Sequence, residues 1–135
     1  MTKKKNTSKA IIKYNYYYLL QLRDNNTNIP VPNKWAFFGG GVLINEDPRE
    51  ALIREIKEEL NFTVMDFNKT YKYYFKELNE TVHYYSVELK KKKSFDNISE
   101  GQKSEWFSKD KMKYIPLCPD VIEYFKYENS IENEA

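Results

Sequence analysis

Three consecutive glycines, Gly39-Gly40-Gly41, run through a short loop into a segment of helical period, and this junction constrains the chain more than any other part of it. Glycine backbone can approach a neighbouring group closely because no side chain intrudes. The segment Asp47-Pro48-Arg49-Glu50 supplies an N-cap acid, a proline at the first helical position and a glutamate at the third, which is a capping box with a pre-set first turn. At about 100° per residue, Leu52, Ile53, Ile56 and Leu60 form a stripe expected to face a core. Glu55, Glu58 and Glu59 fall within about a quarter-turn of one another on another side. Glu46 stands just before the cap, and Arg54 is a helical cation with which it can pair.

Carboxylates placed at i, i+3 and i, i+4 repel in an isolated helix, by a few tenths of a kcal/mol for each pair. A solvated acidic face is the ordinary explanation for such a run. Hard divalent cations also want clustered carboxylate oxygens, commonly together with substrate phosphates. The order of residues favours the second explanation: Gly40, five residues, Glu46, seven residues, then Arg54-Glu55-Ile56-Lys57-Glu58-Glu59-Leu60-Asn61-Phe62. This order resembles the Nudix box, glycine, five, glutamate, seven, Arg-Glu-aliphatic-any-Glu-Glu-any-Gly-aliphatic. Matching the six polar and glycine positions by chance at a given start is on the order of one in ten million at average residue usage, so composition alone does not account for it. The single departure is Asn61 for the last glycine. That position follows the helix and wants a left-handed conformation, for which asparagine is the next choice.

The resemblance implies a Nudix fold of the α/β class, a mixed β-sheet in an α/β/α sandwich. It implies that Glu46 and Arg54 hold the loop against the helix, and that Glu55, Glu58 and Glu59 ligate Mg²⁺, with Mn²⁺ as a substitute. The backbone of Gly40 and Gly41 would meet substrate phosphates. Glu100, in Glu100-Gly101-Gln102, looks like the loop glutamate that reaches the metal site in the mutator-type nucleoside triphosphatases of this family; a plain turn bearing an exposed acid is the alternative. Either Glu55 or Glu100 would take the proton from the attacking water. Cys118 and Asp120 lie near where related enzymes place a base-recognising polar residue, although Cys118 also reads as a small buried hydrophobe. The prolines leave a gap between Pro48 and Pro116, so the downstream proline of many ADP-ribose hydrolases of the family is missing, which argues against ADP-ribose.

At 135 residues the chain suits one domain. The expected organisation is a flexible basic tail over residues 1–9, a single Nudix domain over 10–127 and a flexible acidic tail over 128–135. A net charge of +2 argues against nucleic acid as the main partner, despite the clusters Lys3–Lys5 and Lys90–Lys93. A single cysteine, with no signal peptide or long apolar span, points to a cytoplasmic protein without a membrane partner. A homodimer is compatible with everything above. One histidine and one cysteine cannot supply a zinc site or a serine-histidine-aspartate set. His83 could serve as a general base or simply as a strand residue.

The coarse order of elements supports the same fold. Strands are expected at Ala10–Lys13 and Tyr16–Leu22, at Trp35–Phe38, in a hairpin pairing Thr70–Leu78 with Thr81–Leu89, and at Lys103–Phe107. Arg23 to Lys34 reads as a loop. Ser108 caps a short helical turn, and Pro119–Tyr127 has the spacing of a closing helix. Without the resemblance the pattern supports only an α+β domain. The expected activity is Mg²⁺-dependent cleavage of the pyrophosphate bond of a nucleoside diphosphate linked to another moiety, a nucleoside triphosphate or a nucleotide sugar. A non-catalytic Nudix-fold nucleotide sensor and an RNA 5′-end pyrophosphohydrolase are the alternatives.

Overall fold

Along the strand Lys5–Tyr14 (β1), Ala10 and Ile12 join one apolar cluster and Ile11 joins another. A strand that is apolar on both faces has to be covered on both, and that requirement organises the whole molecule. The computed structural model describes residues 4–29, 31–95 and 103–134. Among these, the further strands are β2 (Tyr17–Leu22), β3 (Trp35–Ala36), β4 (Phe38–Gly41), β5 (Asn68–Phe75), β6 (Glu80–Glu88) and β7 (Lys103–Ser108). The helices are α1 (Pro48–Leu60), α2 (Lys109–Met112) and α3 (Pro119–Glu134).

The sheet runs β3-β2-β1-β6-β5, with β4 also paired to β1 and β7 to β2. β1 and β6 are parallel along nearly their full length, from Lys5 opposite Glu80 to Lys13 opposite Glu88. The other edge of β1 is shared. Its C-terminal end pairs with β2 across the Asn15-Tyr16 turn, and Thr7–Ala10 pair antiparallel with β4. This sharing lays the three glycines alongside Thr7, Ser8 and Lys9. On one face, α1 packs Leu52, Ile56 and Leu60 against Ala10, Ile12, Leu19, Phe38, Tyr85 and Val87. On the other, Met112 of α2 and Val121 and Tyr124 of α3 pack on Ile11, Tyr18, Leu20, Phe37 and Tyr84. The result is a mixed sheet between helices, as the resemblance implied.

Several boundaries differ from those read in the sequence. β1 begins at Lys5, inside the segment read as a basic tail, because Thr7 and Ser8 are buried between two hydrogen-bonded neighbours, β4 and β6. The strand read as Trp35–Phe38 is divided at Phe37 and continues through the glycines as β4. β5 ends at Phe75 and a 3-10 turn, Lys76–Leu78, leads to Asn79 in the left-handed region. α3 continues seven residues past Tyr127. The acidic residue where a tail was expected to start, Glu128, accepts hydrogen bonds from the hydroxyls of Tyr18 and Tyr124 and pairs with Lys109. Those three partners come from β2, α2 and α3 itself and hold the helix on the sheet.

Candidate functional site

The first turn of α1 forms as its sequence prescribes. The Asp47 carboxylate accepts the amide of Arg49 at 2.8 Å, and Glu50 reaches back to the amide of Asp47 at 3.3 Å. Pro48 occupies the start of the helix. At the other end Asn61 takes φ 53° and ψ 40°, and its amide donates to the Lys57 carbonyl at 3.0 Å. The left-handed cap expected for this position is therefore present, and asparagine supplies it.

Arg54 is the hub of the loop-helix junction. Its Nε and Nη2 grip the Glu46 carboxylate at 2.8 and 2.9 Å, Nη1 meets Glu55 at 2.9 Å, and Nη2 also donates to the Gly41 carbonyl at 2.9 Å. Glu58 lies 3.4 Å from Nη1. A planar fork of donors suits this arrangement, since two parallel bonds hold a carboxylate in one orientation. Hydrogen bonds from Arg54 and then from the Leu43 amide hold the Glu46 carboxyl down to about 2. The Arg54 guanidinium is in turn pushed up, chiefly by Glu46. One cation thus draws together Glu46, Glu55, Glu58 and the glycine backbone, from positions up to seventeen residues apart.

The glycines have separate reasons to be glycine. Gly39 has φ 146°, and a Cβ there would fall 2.0 Å from the Ser8 carbonyl oxygen of the adjoining strand. Gly40 lies beneath the carboxylate of Glu55, where a Cβ would come 2.4 Å from its Cδ. Gly41 faces open space. Contrary to the expectation of a loop, all three belong to β4, and their approach to the acidic helix face comes from sheet pairing.

Glu59 lies seven residues after Leu52, within about 20° of it around the helix, and so points towards the sheet. It is 2% exposed. Its Oε2 accepts from Gln21 Nε2 at 3.5 Å, and the same amide donates to the Phe37 carbonyl at 3.4 Å. Gln21 was not singled out in the sequence. The signal was available, because Gln21 follows Leu19 by two residues on β2 and so places a polar side chain on the same inward face. Conversely, Ile53 leaves the stripe assigned to it and is 36% exposed, while Ala51 is buried in its stead. Glu55, Glu58 and Glu59 thus grade from half-buried to exposed to buried.

The donors are all carboxylate oxygens, as a hard ion requires, and Gly40 leaves the space in which the Glu55 carboxylate rests. Among the described residues, no three acidic, histidine or cysteine side chains converge on a single point; the Arg54 guanidinium stands between Glu55 and Glu58. The donor chemistry fits Mg²⁺ or Mn²⁺, with Glu55, Glu58 and Glu59 as the residues available to hold it. Glu100 falls outside the described residues.

Beside the glycines opens a cavity of about 300 Å³, lined among others by Gly39–Gly41, Lys9, Arg23, Cys118 and Asp120. Asp120, in the first turn of α3, accepts the Phe37 amide at 3.2 Å and lies 3.9 Å from Lys9 Nζ. Cys118 is buried, and burial pushes its thiol up to about 12, so its reading as a small hydrophobe fits. His83 is buried on β6, with Nε2 3.1 Å from Asn6 Oδ1, and does not line the cavity. Burial pushes its imidazole below the usual histidine range. Lys9, read as the end of a tail, is the cavity residue that the sequence least foretold.

Among the described residues, no helix is long and apolar enough to cross a membrane. No curated protein matches the chain in sequence. Among solved structures, the chain is similar to MutT from Aliivibrio salmonicida and Vibrio cholerae, with 19% identity, 90% of this chain and 96% of that chain covered and a TM-score of 0.72. It is similar to the Escherichia coli ORF135 protein, with 23% identity, coverage of 96% and 91% and a TM-score of 0.73. It also resembles the NUDIX domain of Shewanella oneidensis NrtR complexed with ADP ribose, with 14% identity, coverage of 100% and 91% and a TM-score of 0.78. At these identities the structures speak for the fold. The family model described as NUDIX domain matches residues 10–126, and with the box intact but for Asn61 and folded around Arg54, this chain belongs to the Nudix family.

Proposed function

We propose that the protein is a Mg²⁺-dependent pyrophosphohydrolase acting on a nucleoside diphosphate linked to another moiety, a nucleoside triphosphate or a nucleotide sugar. The observation that carries this reading is the Arg54 junction, which sets Glu55 of α1 against the backbone of Gly40 and Gly41, two residues that line the cavity. The family as a whole supports a hydrolase of pyrophosphate bonds.

In this reading the nucleoside enters the cavity, with Asp120 and its neighbours facing the base, and the diphosphate lies along the glycine backbone. Glu55, Glu58 and Glu59 hold the cation, with Glu100 as a further candidate. Bound there, Mg²⁺ would neutralise the diphosphate and lower the pKa of the attacking water. Glu55 or Glu100 accepts the proton of that water. The new bond forms from water oxygen to phosphorus as the bridging P–O bond breaks, leaving a nucleotide and a phosphorylated second product. Arg54 positions Glu46 and Glu55 without taking a proton itself, since its guanidinium is strongly held in the charged form. The cytoplasm is the compartment that goes with this reading.

The test is a screen of the wild-type protein against nucleoside triphosphates, nucleotide sugars and dinucleoside polyphosphates, reading phosphate after coupled release, with Mg²⁺, Mn²⁺ or EDTA. Turnover of one class with Mg²⁺ and its loss in EDTA are expected. Tight binding of a nucleotide without turnover under any metal would replace the hydrolase with a sensor.

A further inference from the structure

Gln21 is a polar side chain in an apolar setting. It lies on the face of β2 that carries Leu19 towards α1, and it is 5% exposed. The strand register sets two small residues beside it, Ala36 on β3 and Ser104 on β7. Ser104 directs its own hydroxyl to the Phe95 carbonyl at 3.0 Å. A buried amide is unfavourable unless its N–H groups meet acceptors, and a glutamine side chain carries two of them. The acceptors within reach of Gln21 Nε2 are the Phe37 carbonyl at 3.4 Å and Glu59 Oε2 at 3.5 Å.

Those acceptors belong to two different elements of the site. Glu59 is on the buried side of α1, and Phe37 stands between β3 and β4, two residues before Gly39. Arg54 joins the same helix to the same strand from the partly exposed side, through Glu55 and the Gly41 carbonyl. The helix and the glycine strand are thus held by a cation at Glu55 and by a neutral amide at Glu59. The difference in charge matters for a metal site. A guanidinium on Glu59 would compete with a divalent cation for the carboxylate, whereas an amide orients one oxygen and leaves the negative charge in place.

Resting on the reading of Glu55, Glu58 and Glu59 as the residues that hold the cation, we propose that Gln21 is a positioning residue for the metal site. Its amide fixes the Glu59 carboxylate relative to the Phe37 carbonyl, so that Glu59 is presented to a divalent cation in one orientation. Both contacts are long for hydrogen bonds, so they add little to the stability of the fold. What the packed amide contributes is direction, and partners that orient a metal ligand in this way typically set affinity by about ten- to a hundredfold.

The test measures Mn²⁺ affinity of the whole chain without nucleotide, from the electron paramagnetic resonance of free Mn²⁺, alongside urea melts in EDTA. Gln21→Met keeps the length of the side chain and removes the donor. Gln21→Asn keeps the amide but is too short to reach both acceptors. Each should weaken Mn²⁺ binding by about ten- to a hundredfold, while the melts stay close to wild type. In a Glu59→Gln background, Gln21→Met should change Mn²⁺ affinity by less than about twofold, because the carboxylate it orients is gone. A role confined to packing would lower the urea midpoint and leave the Mn²⁺ affinity of the folded protein where it was. Should Gln21→Met fail to fold, Gln21→Asn carries the same comparison. Wild-type affinity in a folded variant of either kind would overturn the proposal, as would a loss of the same size in the Glu59→Gln background. Weakened Mn²⁺ binding in Gln21→Met, beside a wild type that turns over no nucleotide, upholds the role of Gln21 and sinks the hydrolase reading. Mg²⁺-dependent turnover by wild type with an unmoved Gln21→Met affinity does the reverse. A wild type that binds no Mn²⁺ overturns the proposal together with the metal assignment.

Discussion

Asn61 tests how the helix hands the chain on to the rest of the domain. Its side chain is exposed, so a substitution there changes the backbone preference and little else. The residue sits at φ 53° and ψ 40°, squarely left-handed, and its amide caps the Lys57 carbonyl at 3.0 Å. Two residues of the following segment depend on that exit angle: Phe62, edge-on to Phe95, and Val64, buried in the cluster beneath α1. Glycine adopts this conformation freely but loses more chain entropy on folding, about 0.5–1 kcal/mol. Asparagine holds it at less than the roughly 1–2 kcal/mol that ordinary L-residues incur. These opposed terms leave Asn61→Gly within about 1 kcal/mol of wild type, of either sign. Valine brings the full left-handed penalty plus the crowding of a branched Cβ, so Asn61→Val should lose about 2 kcal/mol. For a domain of this size that corresponds to a drop in Tm of roughly 6–10 °C. Urea melts followed by circular dichroism measure both variants. A valine variant as stable as wild type would refute the argument, because it would mean that the cap conformation is not what the residue is selected for.

The remaining expectations concern the acidic face. Glu58→Gln and Glu59→Gln should each lower turnover at least about a hundredfold with the fold retained; near-normal rates in both would remove the metal assignment. Gly40→Ala would press a methyl to within 2.4 Å of the Glu55 carboxylate, which can swing aside, so thermal stability should change little while turnover falls on the order of ten- to a hundredfold. For Glu46 the folded carboxyl lies at about 2, below its ordinary 4.5. Its contribution is therefore complete above the ordinary value and disappears as pH falls towards about 2. The stability gap between wild type and Glu46→Gln in urea should thus be open at neutral pH and narrow on acidification, and a gap independent of pH would sink the assignment. Glu100→Gln should cut turnover with little change in substrate binding if that carboxylate reaches the metal; a turnover curve against Mg²⁺ that lies on wild type throughout leaves Glu55 as the favoured base.

What could be read from the chain alone was whatever depends on local chemistry or short periods. The capping box, the extent of α1 and the left-handed Asn61 follow from residues within one or two helical turns. The β5–β6 hairpin and the Ser108 cap follow from similarly short segments. The pairing of Glu46 with Arg54, eight residues apart across a loop, was legible because the spacing of the box carries it. The tertiary structure decided everything that depends on which strands lie side by side. Gly39 needs to be glycine because Ser8 passes beside it, and Thr7 and Ser8 are buried because β4 and β6 flank them; nothing within the tail-like sequence Lys3 to Lys9 announces either neighbour. Glu128 is held in a helix by tyrosine and lysine side chains from β2 and α2. Lys9 and Asp120 are 111 positions apart, and their meeting depends on β1 running through the middle of the sheet beneath the start of α3. A sequence read through local propensities records what each segment prefers, while burial and charge pairing are properties of neighbours, and neighbours are chosen only when the sheet closes.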